Sequence, residues 1–379
     1  MEAQRQHLID AVRAAAADGR PLRLRGGGSK DFWGAPLRGE VLDTRSYSGI
    51  VSHEPSELFV TARCGTPLAE LEAALAAHGQ CLPFESPHFG AGATVGGMVA
   101  AGLSGPARAS VGSVRDYVLG VRMVNGRGED LTFGGQVMKN VAGYDVSRVL
   151  AGSWGTLGLI TEVSLKVLPV APAEATLMCV GLDQATALNL LHRWGGQPLP
   201  LNASAWVRDT TATPVADFLF VRLRGAVAAV QSATTRMSAD ASALGAQVTV
   251  MDNAAAGADW RASGEQTLPF FQAPSADQAL WRLSVPQTAP VIEVPGLSAA
   301  AQYIEWQGAQ RWLWAPMDAA PAIHAAAQLV GGAAQCLRSV GPRDGSVFAP
   351  MPEALLRIQR ALQEQFDPQG VFATGRMGH

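Results

Sequence analysis

The chain has 379 residues, of which 48% are apolar and 16% charged, and its formal net charge at pH 7 is −3. This length and apolar content indicate two domains with sizeable cores and exclude an intrinsically disordered protein. The small negative charge gives no basis for binding nucleic acid, and no apolar run reaches the 18 residues that a direct membrane span needs.

The first 170 residues predict short strands separated by glycine-rich segments. Residues 1–20 lack the apolar stretch of a signal peptide and predict an amphipathic helix with Leu8, Val12 and Ala15 facing inward. A second helix is expected to open at Thr66 as its N-cap. The other elements predicted here are strands at 22–24, 58–62, 117–124, 130–133 and 158–168, and a helical turn at 147–150.

From about residue 170 glycine becomes less frequent, and strand and helix patterns alternate. This texture predicts a second α+β domain, an antiparallel sheet with helices on one face. Its predicted strands are 176–180, 203–207, 217–223, 248–251, 281–285 and 303–314, and its predicted helices are 183–194, 226–244 and 319–330. A last helix is predicted at 353–366.

The four cysteines lie far apart and form no C-x-x-C pair, so a self-contained iron–sulfur cluster or zinc ribbon is not expected. They are interpreted as reduced, mostly buried thiols of a cytoplasmic protein. These residues are Cys64, Cys81, Cys179 and Cys336.

The first glycine-rich segment follows the strand at 22–24. Consecutive glycines allow backbone N–H groups to converge on an anion, and the flanking cations add positive charge. A plain surface turn is the alternative, and a P-loop is excluded because Gly-Lys-Ser/Thr is missing. The segment consists of Arg25, Gly26, Gly27, Gly28, Ser29 and Lys30.

A second segment, Gly90-x-Gly92-x-x-x-Gly96, superficially matches a Rossmann fingerprint. No buried parallel strand precedes it and no acidic residue follows at the required place, so this interpretation fails. Backbone donors near Thr94, Gly96 and Gly97 at the start of a helix remain candidates for binding a phosphate.

The third segment carries glycines at a spacing of three, Gly152, Gly155 and Gly158. It indicates either backbone contacts with a flat or charged ligand or a tight turn that leads into the next strand. One ligand large enough to touch all three segments would be an extended dinucleotide such as FAD.

At these positions the sequence resembles known flavoproteins. Segments 25–30, 93–97 and 152–158, with Gly112-x-x-Arg115-Asp116, resemble the vanillyl-alcohol-oxidase (PCMH) type of FAD domain. Segments 137–145, 366–368 and 375–377 resemble the family of FAD-binding subunits of bacterial glycolate oxidase.

The resemblance implies an α+β fold. It implies a PCMH-type FAD-binding domain of two α+β subdomains at residues 1–170, an α+β cap domain with an antiparallel sheet at 171–350, and a C-terminal helix and tail at 351–379 returning to the FAD domain. The implied cofactor-binding residues are the 25–30 loop and Thr94, Gly96 and Gly97 at the pyrophosphate, residues Ser153, Gly155, Thr156, Gly158 and Ile160 along the adenine and ribityl parts, and Arg115 and Asp116.

The sequence also departs from the family. Relatives that attach FAD covalently often carry a histidine where Gly28 and Ser29 stand, so non-covalent FAD is expected. Ala373-Thr374 replaces the usual Asn-Pro. The histidine-rich metal site of larger relatives has no counterpart, because His192 and His324 lie too far apart for a local ligand pair, and no metal site is predicted. The remaining histidines are interpreted as structural or solvated.

The implied activity is an FAD-dependent oxidation of glycolate, and also D-lactate, to the 2-oxo acid. The implied partners are a larger flavin subunit and an iron–sulfur subunit, with electrons passing to a quinone-type acceptor and the complex peripheral at the inner face of the cell membrane. The alternatives are an electron-relay or structural FAD subunit without its own substrate site, and a stand-alone oxidase.

Substrate binding requires a cation for the carboxylate and a base or metal for the hydroxyl proton. The catalytic base is unassigned. The cap arginines that could bind an acid, or equally be solvated charges, are Arg208, Arg222, Arg224 and Arg282. An aromatic-rich region fits either a partner interface or internal core. It consists of Trp281, Trp306, Trp312 and Trp314.

Overall fold

The computed structural model describes residues 1–135, 145–210, 213–297, 302–339 and 347–378. The backbone separates into two compact units. The first consists of Met1–Ser104, Ser113–Val170 and Pro350–His379, and the second of Gly105–Gly112 and Ala171–Ala349. The short segment 105–112, expected in the first domain, therefore belongs to the second unit.

The described residues form the following elements. The helices are α1 Glu2–Asp18, α2 Leu68–Ala76, α3 Val95–Ala101, α4 Arg108–Val111, α5 Val114–Tyr117, α6 Val146–Val149, α7 Gln184–Gly195, α8 Val227–Ser242, α9 Asn253–Gly264, α10 Ala320–Leu329 and α11 Glu353–Phe366. The strands are β1 Leu22–Arg25, β2 Glu40–Asp43, β3 Ile50–Glu54, β4 Phe59–Arg63, β5 Gln80–Cys81, β6 Val118–Val124, β7 Asp130–Gly134, β8 Leu159–Lys166, β9 Leu168–Pro169, β10 Ala173–Val180, β11 Leu201–Asp209, β12 Ala216–Gly225, β13 Gln247–Val250, β14 Gln278–Ser284, β15 Gln302–Glu305, β16 Gln310–Pro316 and β17 Ala333–Arg338.

The first unit contains a five-stranded antiparallel sheet of order β3-β4-β8-β6-β7. The strands β6 and β7, which match the strands predicted at 117–124 and 130–133, pair with each other as a hairpin. Helix α2 covers the core with Leu68, Leu71 and Leu75, three apolar residues on one face that are fully buried. The burial of this stripe supplies most of the reason for a helix here.

A second core in the same unit joins the two ends of the chain. Leu8 and Val12 of α1 pack in one cluster with Val371 and Phe372 of the tail. The Asp367 carboxylate accepts hydrogen bonds from the amides of Val371 and Phe372, at 2.8 and 2.6 Å. These bonds turn the tail immediately after α11.

The second unit is built on an eight-stranded antiparallel sheet of order β13-β10-β12-β11-β15-β16-β14-β17. Helices α7, α8 and α10 pack on one face with the apolar side chains of the strands. Helix α9 lies on the other face, where Trp260 donates to the Thr176 hydroxyl at 3.0 Å. The prediction of helices on one face only is therefore wrong, because the small, alanine-rich α9 has a weak apolar pattern.

Two local predictions are also corrected. Residues 303–314 form β15 and β16 with a tight turn between them, in which Gln307 and Gly308 have φ of 57° and 103°, rather than one strand. Thr66 is not the N-cap of α2, since its hydroxyl accepts from the Gly49 amide at 2.9 Å and Pro67 takes the cap position. Long-range hydrogen bonding overrides local capping preference here.

Among the described residues no helix is long and apolar enough to cross a membrane. None of the four cysteines forms a disulfide with another described residue, and only Cys81 is partly exposed. Trp281, Trp306 and Trp312 are buried. These three tryptophans are therefore internal core rather than a surface ready for a partner.

Candidate functional site

The first glycine loop, Arg25–Lys30, lies directly against the second glycine segment. A Cβ on Gly27 would stand 1.5 Å from the Gly92 carbonyl oxygen, and one on Gly26 would stand 2.2 Å from the Thr94 hydroxyl. Gly28 has φ of +72°, a left-handed conformation that favours glycine. Glycine is therefore required at all three positions by close approach or by backbone conformation.

The amides of this loop are available to a ligand. Within the described part of the chain, the amides of Gly26, Gly27 and Gly28 have no hydrogen-bond acceptor. Arg25 pairs with Asp31 at 2.7 Å, and Lys30, only 8% exposed, donates to the His88 carbonyl at 3.2 Å. Converging amides near buried positive charge are the arrangement that binds phosphate oxygens.

The second segment uses its amides differently from what the sequence predicted. The Gly96 amide donates to the Cys64 carbonyl at 2.8 Å, and the Gly97 amide donates to the Thr94 hydroxyl, the N-cap of α3, at 3.3 Å. A Cβ on Gly96 would stand 2.6 Å from that of Cys64. Glycine at 96 therefore allows α3 to pack on the chain after β4, and the segment supports the first loop.

The third segment is anchored to the end of α3. The Gly152 and Trp154 amides donate to the carbonyls of Val99 and Ala100, at 3.0 and 2.8 Å. Gly155 has φ of +76°, and a Cβ there would stand 3.2 Å from Leu24, at the base of the first loop. The three glycine segments are thus brought together around α3 and β1.

The remaining predicted residues of this segment have internal roles. The Ser153 and Thr156 hydroxyls donate to the carbonyls of Leu150 and Ser153, at 2.8 and 2.7 Å. Gly158 has φ of +153°, and a Cβ there would stand 2.2 Å from Met123. Ile160 is buried in the first core, so only its backbone can face a ligand.

Arg115 and Asp116 lie on the short helix α5. The Asp116 carboxylate accepts from the amide and the hydroxyl of Ser113, both at 2.8 Å, which forms a capping box. Burial opposes ionisation of this carboxyl, but the Ser113 hydrogen bonds and the Arg115 charge hold its pKa below the usual value. Asp116 therefore acts on its own helix, and Arg115 is largely exposed.

The loop Arg25–Lys30, with the segments that support it, is called the cradle below. Sequence reasoning missed an aromatic stack beside it. The rings of Trp33 and Trp154 stack at 3.7 Å with an interplanar angle of 5°, and Arg376 lies over Trp154 at 5.2 Å. The Arg376 carbonyl also accepts from the Ala35 amide at 3.0 Å. The stack ties the tail to the third glycine segment, and Gly375-Arg376 was its only signal in the sequence.

The second unit carries a buried polar cluster on the α9 side of its sheet. Glu305 accepts from the Ser263 hydroxyl at 3.0 Å, from Gln310 at 2.9 Å and from the Trp312 indole at 2.8 Å. Tyr303 bonds to Ser263 at 3.0 Å, and burial raises its pKa. The sequence could not assemble this cluster because its members come from two strands and a helix.

The four candidate arginines of this unit differ in their partners. Arg208 forms an ion pair with Asp217 at 2.8 Å, and Arg224 forms one with Glu174 at 2.5 Å. Arg222 is buried, donates to Asn202 at 2.7 Å and lies 5.1 Å from the Trp260 ring.

Arg282 lies on β14, the strand next to the edge strand β17. In the orientation of Gln335 that satisfies both side chains, its amide oxygen accepts from Nη2 and Nε of Arg282 at 2.6 and 3.1 Å.

A cavity of about 840 Å³ opens on the face of this sheet that α9 covers. Its walls are mainly apolar and aromatic, and they include Phe218, Phe220, Trp260, Phe270, Tyr303 and Trp314. A cavity of this size is within the range that encloses a small organic molecule. Trp314, one of the four predicted aromatic residues, thus lines a cavity.

The two histidines of the second unit make separate contacts. His192 on α7 hydrogen-bonds the Gln287 carbonyl, and His324 on α10 packs edge-to-face on Trp281 at 5.5 Å. No group of three or more His, Cys, Asp or Glu among the described residues could hold a metal ion.

Residues 3–146 match the family described as FAD binding domain. Over 373 residues, 98% of this chain and 97% of the relative, the sequence is 43% identical to glycolate oxidase subunit GlcE of Escherichia coli (strain K12). The chain belongs to this family of glycolate oxidase subunits. FAD is its cofactor, and the family is one of FAD-dependent oxidoreductases, so the recognition and the predicted cofactor are confirmed.

Other relatives match over less of their length. D-lactate dehydrogenase of Archaeoglobus fulgidus is 34% identical over 184 residues, 48% of this chain and 41% of that protein. The solved structure of alkyldihydroxyacetonephosphate synthase superposes with a TM-score of 0.69 at 16% identity, covering 97% of this chain and 73% of the synthase. Together with the match to the FAD binding domain family, this likeness confirms the expected fold, a PCMH-type FAD-binding domain with an α+β cap. The 137–145 motif falls almost wholly outside the described residues.

Proposed function

We propose that this chain is the FAD-binding subunit of a glycolate oxidase complex that oxidises glycolate, and also D-lactate, to the 2-oxo acid. Its partners would be a larger flavin subunit and an iron–sulfur subunit. One observation supports FAD binding above all. A Cβ on Gly27 would stand 1.5 Å from the Gly92 carbonyl oxygen, and three amides of the same loop have no acceptor within the described residues. The 43% identity to a glycolate oxidase subunit over nearly the whole chain supports the choice of substrate.

The cradle residues fit FAD by their own chemistry. The amides of Gly26, Gly27 and Gly28 would bind pyrophosphate oxygens, and Lys30 would add positive charge. The Gly152–Ile160 segment and Thr94 would line the rest of the cofactor, without a covalent bond, since Gly28 and Ser29 replace the histidine of covalent relatives. FAD, when bound, supplies the two-electron acceptor for oxidation of a 2-hydroxy acid.

The oxidation removes a hydride from C2 and a proton from the hydroxyl group, which leaves the 2-oxo acid. The chain must therefore orient the acid by its carboxylate and exclude water around C2. The two electrons would leave through the partner subunits to a quinone-type acceptor. Such a complex would be cytoplasmic and peripheral at the inner face of the cell membrane.

The visible flavin spectrum of the purified chain, recorded anaerobically before and after glycolate, tests this proposal. Bleaching of the flavin band would show that this chain carries a substrate site. A flavin band that persists with the chain alone, but bleaches once the partner subunits are added, would instead support an electron-relay or structural subunit. A chain purified without any flavin would contradict both.

A further inference from the structure

Arg282 differs from Arg311, a buried arginine of the same sheet, in what its guanidinium contacts. Arg311, on the opposite face, donates to the carbonyls of Gly308, Ala289 and Pro290, at 3.1, 2.6 and 2.6 Å. The only acceptor of Arg282 in the described part of the chain is the Gln335 amide oxygen, which takes Nε and one Nη2 proton. Both Nη1 protons and the second Nη2 proton have no acceptor among the described residues. These protons form the end-on edge of the guanidinium, between Nη1 and Nη2.

No carboxylate lies within ion-pair distance of Arg282 among the described residues, whereas Arg208 and Arg224 each have one. Burial, and then the charge of Arg108, lower the pKa of Arg282 to about 10. Arg282 is half-buried, and a partly desolvated guanidinium beside a second cation is unfavourable unless an anion compensates it. The local structure therefore places an uncompensated positive charge inside the second unit.

The second cation is held in place by its own segment. Arg108 begins α4 and lies 4.5 Å from the ring of Trp306, and the Trp306 indole donates to the Gly105 carbonyl at 3.0 Å. This anchoring explains why 105–112 belongs to the second unit. It also keeps Arg108 close to Arg282 in spite of their like charge.

The surroundings of Arg282 suit a small planar anion. In the register of the sheet Arg282 pairs with Trp312 on β16 and with Gln335 on β17, so the three side chains lie on one face. Gln335 fixes the guanidinium plane, and the aromatic neighbour offers a flat wall. The exposed end-on edge matches the two oxygens of one carboxylate.

We propose that Arg282, with Arg108 beside it, is the carboxylate-binding site for a small organic acid in the second unit. The identification of that acid as a 2-hydroxy acid rests on the proposed function. The FAD pyrophosphate is the other anion that could supply the same chemistry, and the experiment separates the two sources.

The test uses the full-length chain with Arg282→Gln and Arg282→Lys, and Arg261→Gln as a matched control. Arg261 is an exposed cation of the same unit, so its loss changes the net charge equally. Calorimetric titration with oxalate, which is not oxidised, and with inorganic phosphate measures binding, and the flavin content per chain is determined in parallel.

We expect oxalate to bind the wild type and the control equally and to bind Arg282→Gln at least about tenfold more weakly, with Arg282→Lys intermediate, as for a lost charge-assisted hydrogen bond. Flavin content should be unchanged in all variants. Equal oxalate affinity in wild type and Arg282→Gln would overturn the proposal. Loss of flavin in both Arg282 variants would also overturn it, since FAD would then be the anion.

A thermal readout separates ligand binding from a structural role. Without added anion, Arg282→Gln should melt at the same temperature as wild type or higher, because it removes an uncompensated charge, and oxalate should raise the melting temperature of the wild type only. A lower melting temperature in both variants would mark a structural arginine. If oxalate binding depends on Arg282 but glycolate leaves the flavin oxidised, the proposed function fails while the site stands.

Discussion

The two units form their candidate sites from different groups, backbone amides in the first unit and polar side chains in the second. The cradle of the first unit depends on missing side chains: Gly26 and Gly27 let two backbone segments approach, and their amides have no acceptor among the described residues. The polar face of the second unit depends on large side chains, such as the buried Glu305 and the half-buried Arg282, whose neighbours are set by sheet register. Backbone sites tolerate no added atoms, whereas side-chain sites are sensitive to lost charge and lost hydrogen bonds.

The largest expected effect is on the cradle. Gly27→Val should abolish flavin binding, because its Cβ would overlap the Gly92 carbonyl and displace the loop. Absorbance in the visible range per purified chain measures this. Gly135→Ala is the matched control, since a Cβ at Gly135 meets nothing within 4 Å. Normal flavin content in Gly27→Val would refute the cradle assignment.

The next effect concerns packing in the second unit. Trp194 is fully buried on α7, so Trp194→Ala should lower the free energy of unfolding by about 3–5 kcal/mol. Urea denaturation measures the change, and flavin content per folded chain should remain normal if the two units depend on different contacts. A loss below about 1 kcal/mol, or a loss of flavin from the folded variant, would break that distinction.

A smaller effect should appear at alkaline pH. Burial raises the pKa of the Cys64 thiol from 9.0 to about 12. Between these values the unfolded state loses the thiol proton and the folded state keeps it, so stability is complete below pH 9 and falls as pH rises, by about 1.4 kcal/mol per unit.

Urea midpoints of wild type and Cys64→Ala, compared from pH 8 to 11, isolate this contribution from that of Tyr47, whose pKa burial also raises to about 12. The variant should lose less stability over this range. Parallel curves for the two proteins would contradict the prediction.

The smallest effect concerns the aromatic stack beside the cradle. A double-mutant cycle with Trp33→Leu and Trp154→Leu should give a coupling free energy of about 0.5–1.5 kcal/mol, because the stacked rings interact beyond their burial. Thermal or urea unfolding of the four proteins measures it. Additive single effects would mean that the two rings pack independently.

How much the sequence predicts differs between the units for the same reason. Glycine spacing and the apolar stripe of α2 are local patterns, and the helix with buried Leu68, Leu71 and Leu75 was predicted correctly. The hairpin at β15 and β16 was merged into one strand, because the residues of its tight turn, Gln307 included, carry no turn signal apart from Gly308. Helix α9 was missed because its burial is set by the sheet beneath it.

By itself the sequence determined the cofactor, the family and the positions of the three glycine segments, because the spacing of glycines can be read directly along the chain. Only the tertiary structure decided that the Gly96 amide donates to the Cys64 carbonyl and that its missing side chain lets α3 pack on Cys64. It also decided that Arg208 pairs with Asp217, whereas Arg282 has no carboxylate partner among the described residues. The partners of a buried charge come from distant strands, and register, not sequence distance, brings them together.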